Sequence, residues 1–178
     1  HIRHVAGGGF TQFVFDELRF ASKDSKVVSV SLKARGAILL GGHTGHAYWF
    51  SDQSGEMTTS TFYTQDTAEW VKRWNSGKMA DKLFGKVWDR LLPESAYTNI
   101  DASPHEADLK GLGRVFPHPT NAKQQAPGPG YYESINYTPT GLEIQMDFAR
   151  AAIEGEQLGQ RGVTDALAIS VSGTDLAG

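Results

Sequence analysis

Apolar positions in this chain gather into short compact runs, separated by amphipathic or glycine-rich stretches. Val27, Val28, Val30 and Leu32 form the first β-branched run. It is short and lies between a helical pattern and a polar turn, which predicts a buried strand. Before it, residues 11–23 place Phe13, Val14, Leu18 and Ala21 at helical spacing, with acids at Asp16 and Glu17. That spacing predicts a short helix with one buried apolar stripe. Gly7, Gly8 and Gly9 give it a flexible approach, and Asp24 and Ser25 break the pattern. After the run, Lys33 to Gly42 marks a strand giving way to a loop or helix, and residues 41–46 read as loop. Residues 47–50 and 57–63 are strand-like and predict a hairpin or short meander. Thr67 is placed to cap a helix from near Ala68 carrying Trp70, Val71 and Trp74, with Asn75 and Gly77 stopping it. Residues 78–89 predict a second short helical or irregular element ending in Val87 and Trp88.

From Pro93 to Pro139 periodicity fades. Pro104, Pro117, Pro119, Pro127 and Pro129 stand among many glycines and asparagines, which predicts a long loop or cap insertion over a sheet face. After Thr140 a strong helix follows. Its apolar face is Leu142, Ile144, Met146, Phe148, Ala149, Ala152, Ile153 and Leu158, and Gly159 ends it. A final strand, residues 166–171, leads through Ser172, Gly173 and Thr174 to Asp175. Helix, strand, loops, helix, strand is the rhythm of an α/β layer with a decorated connection. The last strand delivers a lone carboxylate where α/β sheets bind ligands, and the groups it would work with are not evident. The expectation is that residues 1–178 are a partial catalytic α/β domain with an insertion at about 93–139.

At 178 residues and 39% hydrophobic, the chain can bury a sizeable core. Its 17 basic and 20 acidic residues give a net charge of -3, with no basic tract. Such a balance argues against a nucleic-acid partner, while leaving room for a cationic pocket for one small anion. There is no cysteine, which excludes disulfides, thiolate metal sites and a cysteine nucleophile. No apolar stretch reaches the ~18 residues of a membrane span.

Lys33 and Arg35 are the first candidate chemistry. They read either as solvated cations at a strand end or as an anion clamp. Residues two apart on a strand share a face, and an ammonium beside a guanidinium can hold two oxygens of a phosphate. Asp175 reads as a turn or cap residue, or as a ligand for a hard or borderline cation. His1 and His4 sit on a terminal segment, His43 and His46 in or beside the glycine-rich loop, and His105 and His118 in the insertion; none has an evident ligand partner. The aromatics read as core and hairpin packing. No Walker loop, dinucleotide fingerprint or serine elbow is present.

The segment from Val30 to Leu39 with the following glycines resembles the alkaline phosphatase superfamily. It is most similar to the single-polypeptide bacterial enzymes whose site pairs a lysine with an arginine. The resemblance continues through Ala47 to Phe50, Gly55, Thr58 to Tyr63, Trp70, Val71 and Asn75. It resumes from Pro139 to Gly159 and from Asp165 to Gly178. It implies an internal piece of a three-layer α/β sandwich with a central, mostly parallel sheet. It implies that Lys33 and Arg35 contact the phosphate oxygens of a monoester, and that Asp175 is a zinc ligand in a two-zinc centre. The family's nucleophile, an earlier metal-binding aspartate and the remaining histidine and aspartate ligands have no counterpart in these residues. A periplasmic or extracellular location follows from the resemblance alone.

The leading reading is therefore a zinc-dependent phosphatase acting on small phosphate monoesters. This chain would supply the clamp and one ligand, and the rest of the catalytic domain would come from the same or a companion chain. On its own it is expected to be inactive. A phosphodiesterase or nucleotide pyrophosphatase of the same superfamily is the enzyme alternative, disfavoured by the Lys33 and Arg35 pair. A non-catalytic anion-binding module is the alternative of a different class.

Overall fold

All five residues of the first strand are buried, on both of its faces. The computed structural model describes residues 13–98, 101 and 107–173. Along them run α1 (Val14–Ala21), β1 (Val27–Ser31), α2 (Ala34–Gly41), β2 (His46–Phe50), β3 (Met57–Thr58), α3 (Glu69–Ser76), α4 (Met79–Lys82) and β4 (Val87–Trp88). Then follow β5 (His118–Pro119), α5 (Pro129–Ile135), α6 (Pro139–Glu156) and β6 (Ala166–Ser170). The main sheet has the order β3-β2-β1-β6. β1 is parallel to both β2 and β6, and β3 adds an antiparallel edge. This is an α/β sandwich around a mostly parallel sheet.

The two faces of the sheet are built from different chemistry. Val28, Val30, Leu32, Tyr48 and Phe50 form one face, packed with Ile144, Phe148, Ala149 and Ala152 of α6 and with Tyr131 and Ile135 of α5. This is the larger core. On the other face Ala37 and Ile38 of α2 meet Ala47 and Trp49. Here β1 presents serines, and the helix presents glycines that let it lie close. A Cβ on Gly36 would stand 2.6 Å from Ser31 Oγ, and one on Gly41 2.7 Å from Ser29 Oγ. Ser29 Oγ donates to the Ala37 carbonyl at 2.6 Å, so the small polar face is satisfied as well as close-packed.

The amino edge of the sheet is tied by paired carboxylates. Asp165 accepts from the Lys26 backbone N–H at 2.7 Å and the Gly159 N–H at 2.9 Å, and from the Arg161 guanidinium. Glu156 accepts from Lys26 Nζ at 2.7 Å and Trp70 Nε1 at 2.8 Å.

Several expectations change. The buried residue of α1 is Asp16, 1% exposed, while Val14 is 81% exposed, so the helix docks through a carboxylate rather than an apolar stripe. Asp16 accepts from the backbone N–H groups of His43 and Thr44, each at 2.9 Å, and from Thr44 Oγ1 at 2.7 Å. Ala68, not Thr67, is the cap residue of α3, and its first turn has no side-chain cap. The second hairpin strand stops at Thr58, and residues 61–63 turn. The insertion is not all loop: β5 pairs with β4, and α5 buries Tyr131, Tyr132, Ser134 and Ile135. On α6, Leu142, Met146 and Ile153 keep about a third of their surface in solvent, whereas Gln145 is wholly buried.

Candidate functional site at the carboxyl edge of the sheet

β1 ends at Ser31, and the chain turns within two residues into α2. Lys33 is the residue before the helix, with extended backbone (φ -98°, ψ 130°). Its N–H donates to Ser31 Oγ at 3.1 Å, and that hydroxyl donates to the Ser170 carbonyl of β6 at 3.2 Å. The lysine backbone is thus fixed to both strands whose ends form the edge. Lys33 is half-buried, and Arg35, in the first turn of α2, is exposed. The two cations therefore do not share a strand face as the alternation argument expects. They straddle the start of a helix, because the strand has already ended. The helix supplies its own unpaired N–H groups and the positive end of its dipole at the same place, and no acid stands in its first turn. Positive charge from three sources gathers at one end of α2.

Two concavities flank Leu32. On the β2 side a cleft of ≈ 310 Å³ is lined by Leu32, Ala34, Trp49, Ser51, Asp52 and Asn136, among others. It is polar at its rim and adjoins the first turn of α2. On the β6 side lies an apolar cavity of ≈ 240 Å³ between Leu32, the start of α6, Trp88 and Val171. Tight α/β loops after parallel strands place such hollows where ligands bind.

Asp175, with His1, His4 and His105, lies outside the described residues. His43 Nδ1 is 3.2 Å from Asp16 Oδ2, and its ring packs near Phe13 and Phe62. It belongs to the α1 tie. His46 opens β2. His118 pairs with Trp88 in the β4–β5 ribbon, its Nδ1 3.1 Å from the Leu112 carbonyl. His43 and His46 lie toward the amino edge, and His118 stands against Trp88, with ring centroids 4.9 Å apart. Among the described residues no group of three or more His, Asp, Glu or Cys is placed to hold a metal ion. They do not by themselves fit a zinc centre.

The polar residue missed by sequence reasoning is Gln145. Its Nε2 donates to the Val30 carbonyl at 3.2 Å and the Ser170 carbonyl at 2.8 Å, cross-linking β1 and β6 from the α6 side. The one signal for it was a polar residue next to Ile144, on the face that α6 turns to the sheet.

No protein-family model matches the chain. It is 44% identical over 170 residues to alkaline phosphatase PhoV of Synechococcus elongatus, covering 93% of this chain and 30% of that protein. It is 38% identical over 172 residues to a calcium-transporting ATPase of Myroides odoratus, covering 93% of this chain and 31% of that protein. It is 37% identical over 173 residues to alkaline phosphatase PafA of Elizabethkingia meningoseptica, again over 93% of this chain and 31% of the relative. The chain therefore spans about a third of the length of the curated relatives it matches. The crystal structure of wild-type PafA superposes with a TM-score of 0.78 at 34% identity, over 91% of this chain and 32% of that one. A PafA variant altered at a threonine, an asparagine, a lysine and an arginine superposes equally well.

Proposed function

We propose that this chain, which belongs to the alkaline phosphatase superfamily, carries the phosphate-gripping part of a phosphomonoesterase, with Lys33 and Arg35 as the groups that meet the phosphate. The observation that carries this reading is the placement of both cations around the first turn of α2, at the carboxyl edge of a parallel sheet. The altered lysine and arginine of the PafA variant also stand two positions apart.

A phosphate monoester is a dianion at neutral pH, and phosphoryl transfer spreads charge over its outer oxygens. A guanidinium can take two of those oxygens in a fork, and an ammonium can add a point charge beside it. The N–H groups at the start of α2 favour the same anion. Lys33, braced through Ser31, would hold position while the exposed Arg35 closes on the ligand. A diester offers one negative charge fewer, so the clamp favours monoesters. The same clamp suits the terminal phosphate implied by the ATPase relative's name.

The nucleophile, the rest of the catalytic domain and a periplasmic or extracellular setting are proposed for the whole protein from its relatives. Asp175 is proposed as this chain's zinc ligand. The test compares an aryl phosphate with the corresponding methyl aryl phosphate in the full-length protein. Lys33→Ala and Arg35→Ala should each lower kcat/KM for the monoester by about 10²–10³, the scale of losing a charge-stabilising donor. The diester rate should change far less. Equal losses on both substrates would reject the clamp. For Asp175→Ala, an unchanged zinc content of the purified protein would reject the ligand role.

A further inference from the structure

Ser31 does more at the end of β1 than its packing requires. It is 0% exposed, and the start of α2 lies hard against it. A Cβ on Gly36 would meet Ser31 Oγ at 2.6 Å and Ser170 Oγ at 2.8 Å, so the helix leaves no slack around these two hydroxyls. An alanine would satisfy that space, as Ala47 of β2 does in the same layer under α2. A buried hydroxyl is costly unless it is bonded, so its presence has to be explained by what it bonds. Ser29, two residues earlier on the same face, bonds the helix, through the Ala37 carbonyl at 2.6 Å. Ser31 is used differently. It accepts from the Lys33 N–H at 3.1 Å and donates to the Ser170 carbonyl of β6 at 3.2 Å. That carbonyl takes a second donor from the α6 side, Gln145 Nε2 at 2.8 Å, so it is held from both faces of the sheet.

Lys33 occupies the cap position of α2, and no side chain caps that helix. Its carbonyl accepts the first helical bond, from the Ala37 N–H at 3.2 Å. Its N–H lies beyond Ser31, the last residue of β1 that pairs with β2 and β6, and Ser31 Oγ takes it. Both backbone groups of the lysine are thus committed, one to the helix and one to a hydroxyl that is itself tied across to β6. A long, flexible side chain is aimed reproducibly only from a fixed root. We propose that Ser31 is a positioning residue for phosphoryl transfer, one that sets the Lys33 ammonium against the phosphate by fixing the lysine backbone. The role rests on the reading of Lys33 as part of the phosphate clamp.

A double-mutant cycle on the full-length protein, read as kcat/KM for an aryl phosphate, tests it. Ser31→Ala should lower kcat/KM by about tenfold, within the roughly 10²-fold that a misplacement of about 1 Å can cost. In the Lys33→Ala background the same change should cost less than about twofold, because a residue that acts through the ammonium has nothing left to act on. Ser29→Ala removes an equally buried hydroxyl from the same strand and face. It should keep kcat/KM within about twofold, and both serine variants should keep one cooperative thermal transition. Three results would overturn the role and leave the clamp standing, given the normal loss in Lys33→Ala alone. They are unchanged kcat/KM in Ser31→Ala, the same loss with and without Lys33, and a matching loss in Ser29→Ala. No loss in Lys33→Ala alone would overturn the clamp, and the positioning role with it.

Discussion

The two edges of the same parallel sheet are finished in opposite ways. At the amino edge the charged groups are carboxylates, and each is surrounded by donors: Asp16 by the His43–Thr44 loop, Asp165 by Lys26, Gly159 and Arg161, Glu156 by Lys26 and Trp70. Burial pushes these acids up, but the donors outweigh it and hold all three below their ordinary values. At the carboxyl edge the charge is cationic and gathers at the start of a helix. Carboxylates enclosed by donors of the fold specify it, whereas positive charge at a helix start suits an anion. The difference predicts that substitutions at the amino edge act on stability, and those at the carboxyl edge on ligands.

The largest effect is expected at Asp16. Asp16→Ala orphans two backbone donors and a hydroxyl in a closed site and releases α1. It should cost about 3 kcal/mol in urea unfolding and leave phosphate affinity of the folded protein unchanged. A loss under about 1 kcal/mol would mean that α1 is held by other contacts, and the contrast between edges would weaken.

Acid should expose the same edge. A carboxylate whose folded pKa lies below its unfolded one stabilises the fold fully above the unfolded value and loses that contribution as pH falls through the folded one. The ordinary values are 3.8 for Asp16 and Asp165 and 4.5 for Glu156. Their contribution should therefore be flat from about pH 7 to about pH 5 and decline below that, by about 1.4 kcal/mol for each unit of depression. Urea midpoints measured across this range check it. In Asp16→Ala the decline should be shallower than in the unaltered protein, and an identical profile would remove Asp16 from the account.

How much of this was legible in the sequence depends on whether the signal was local. β1, β2 and β6 were readable because compact apolar runs are a local property, and α3 and α6 because their apolar residues repeat at helical spacing. α5 was hidden by its neighbourhood of prolines, although Pro129 at its first turn and the Tyr131–Ile135 spacing are helix signals. Asp16 and Gln145 were unreadable for another reason. Each is a polar residue on a buried face, and its partners are far away in sequence: Thr44 for Asp16, Val30 and Ser170 for Gln145. A local pattern cannot show that a polar group is matched. The cations were picked out by type and spacing, but the geometry given for them was that of a strand. The turn into α2 comes two residues earlier, and the helix then lies close on the strands because Gly36 and Gly41 carry no side chains.

Gln145 offers an intermediate test. Gln145→Leu removes two donors from strand carbonyls and at the same time removes a buried oxygen with no partner among the described residues, so gain and loss partly cancel. The expected cost is about 1 kcal/mol, smaller than for Asp16→Ala although both residues are fully buried. A cost of about 3 kcal/mol or more would show that this residue is a structural tie like those of the opposite edge.

The smallest effect on stability is expected at Arg35. Its side chain is exposed on the first turn of α2, where a cation meets the positive end of the helix dipole and gains nothing from it. Removing it should shift the unfolding free energy by less than about 0.5 kcal/mol, in either direction, as for most exposed positions. If anything, relief of the charge clash with the helix end should stabilise slightly. Phosphate affinity of the full-length protein, measured by titration with inorganic phosphate, should fall by about tenfold or more, because a charge-assisted fork is lost. The pairing of these two numbers is the decisive point. A residue that costs the fold nothing when removed, and sits where its charge is locally unfavourable, is kept for binding and not for the fold. A destabilisation above about 1 kcal/mol with unchanged phosphate affinity would reverse that assignment and make Arg35 part of the scaffold.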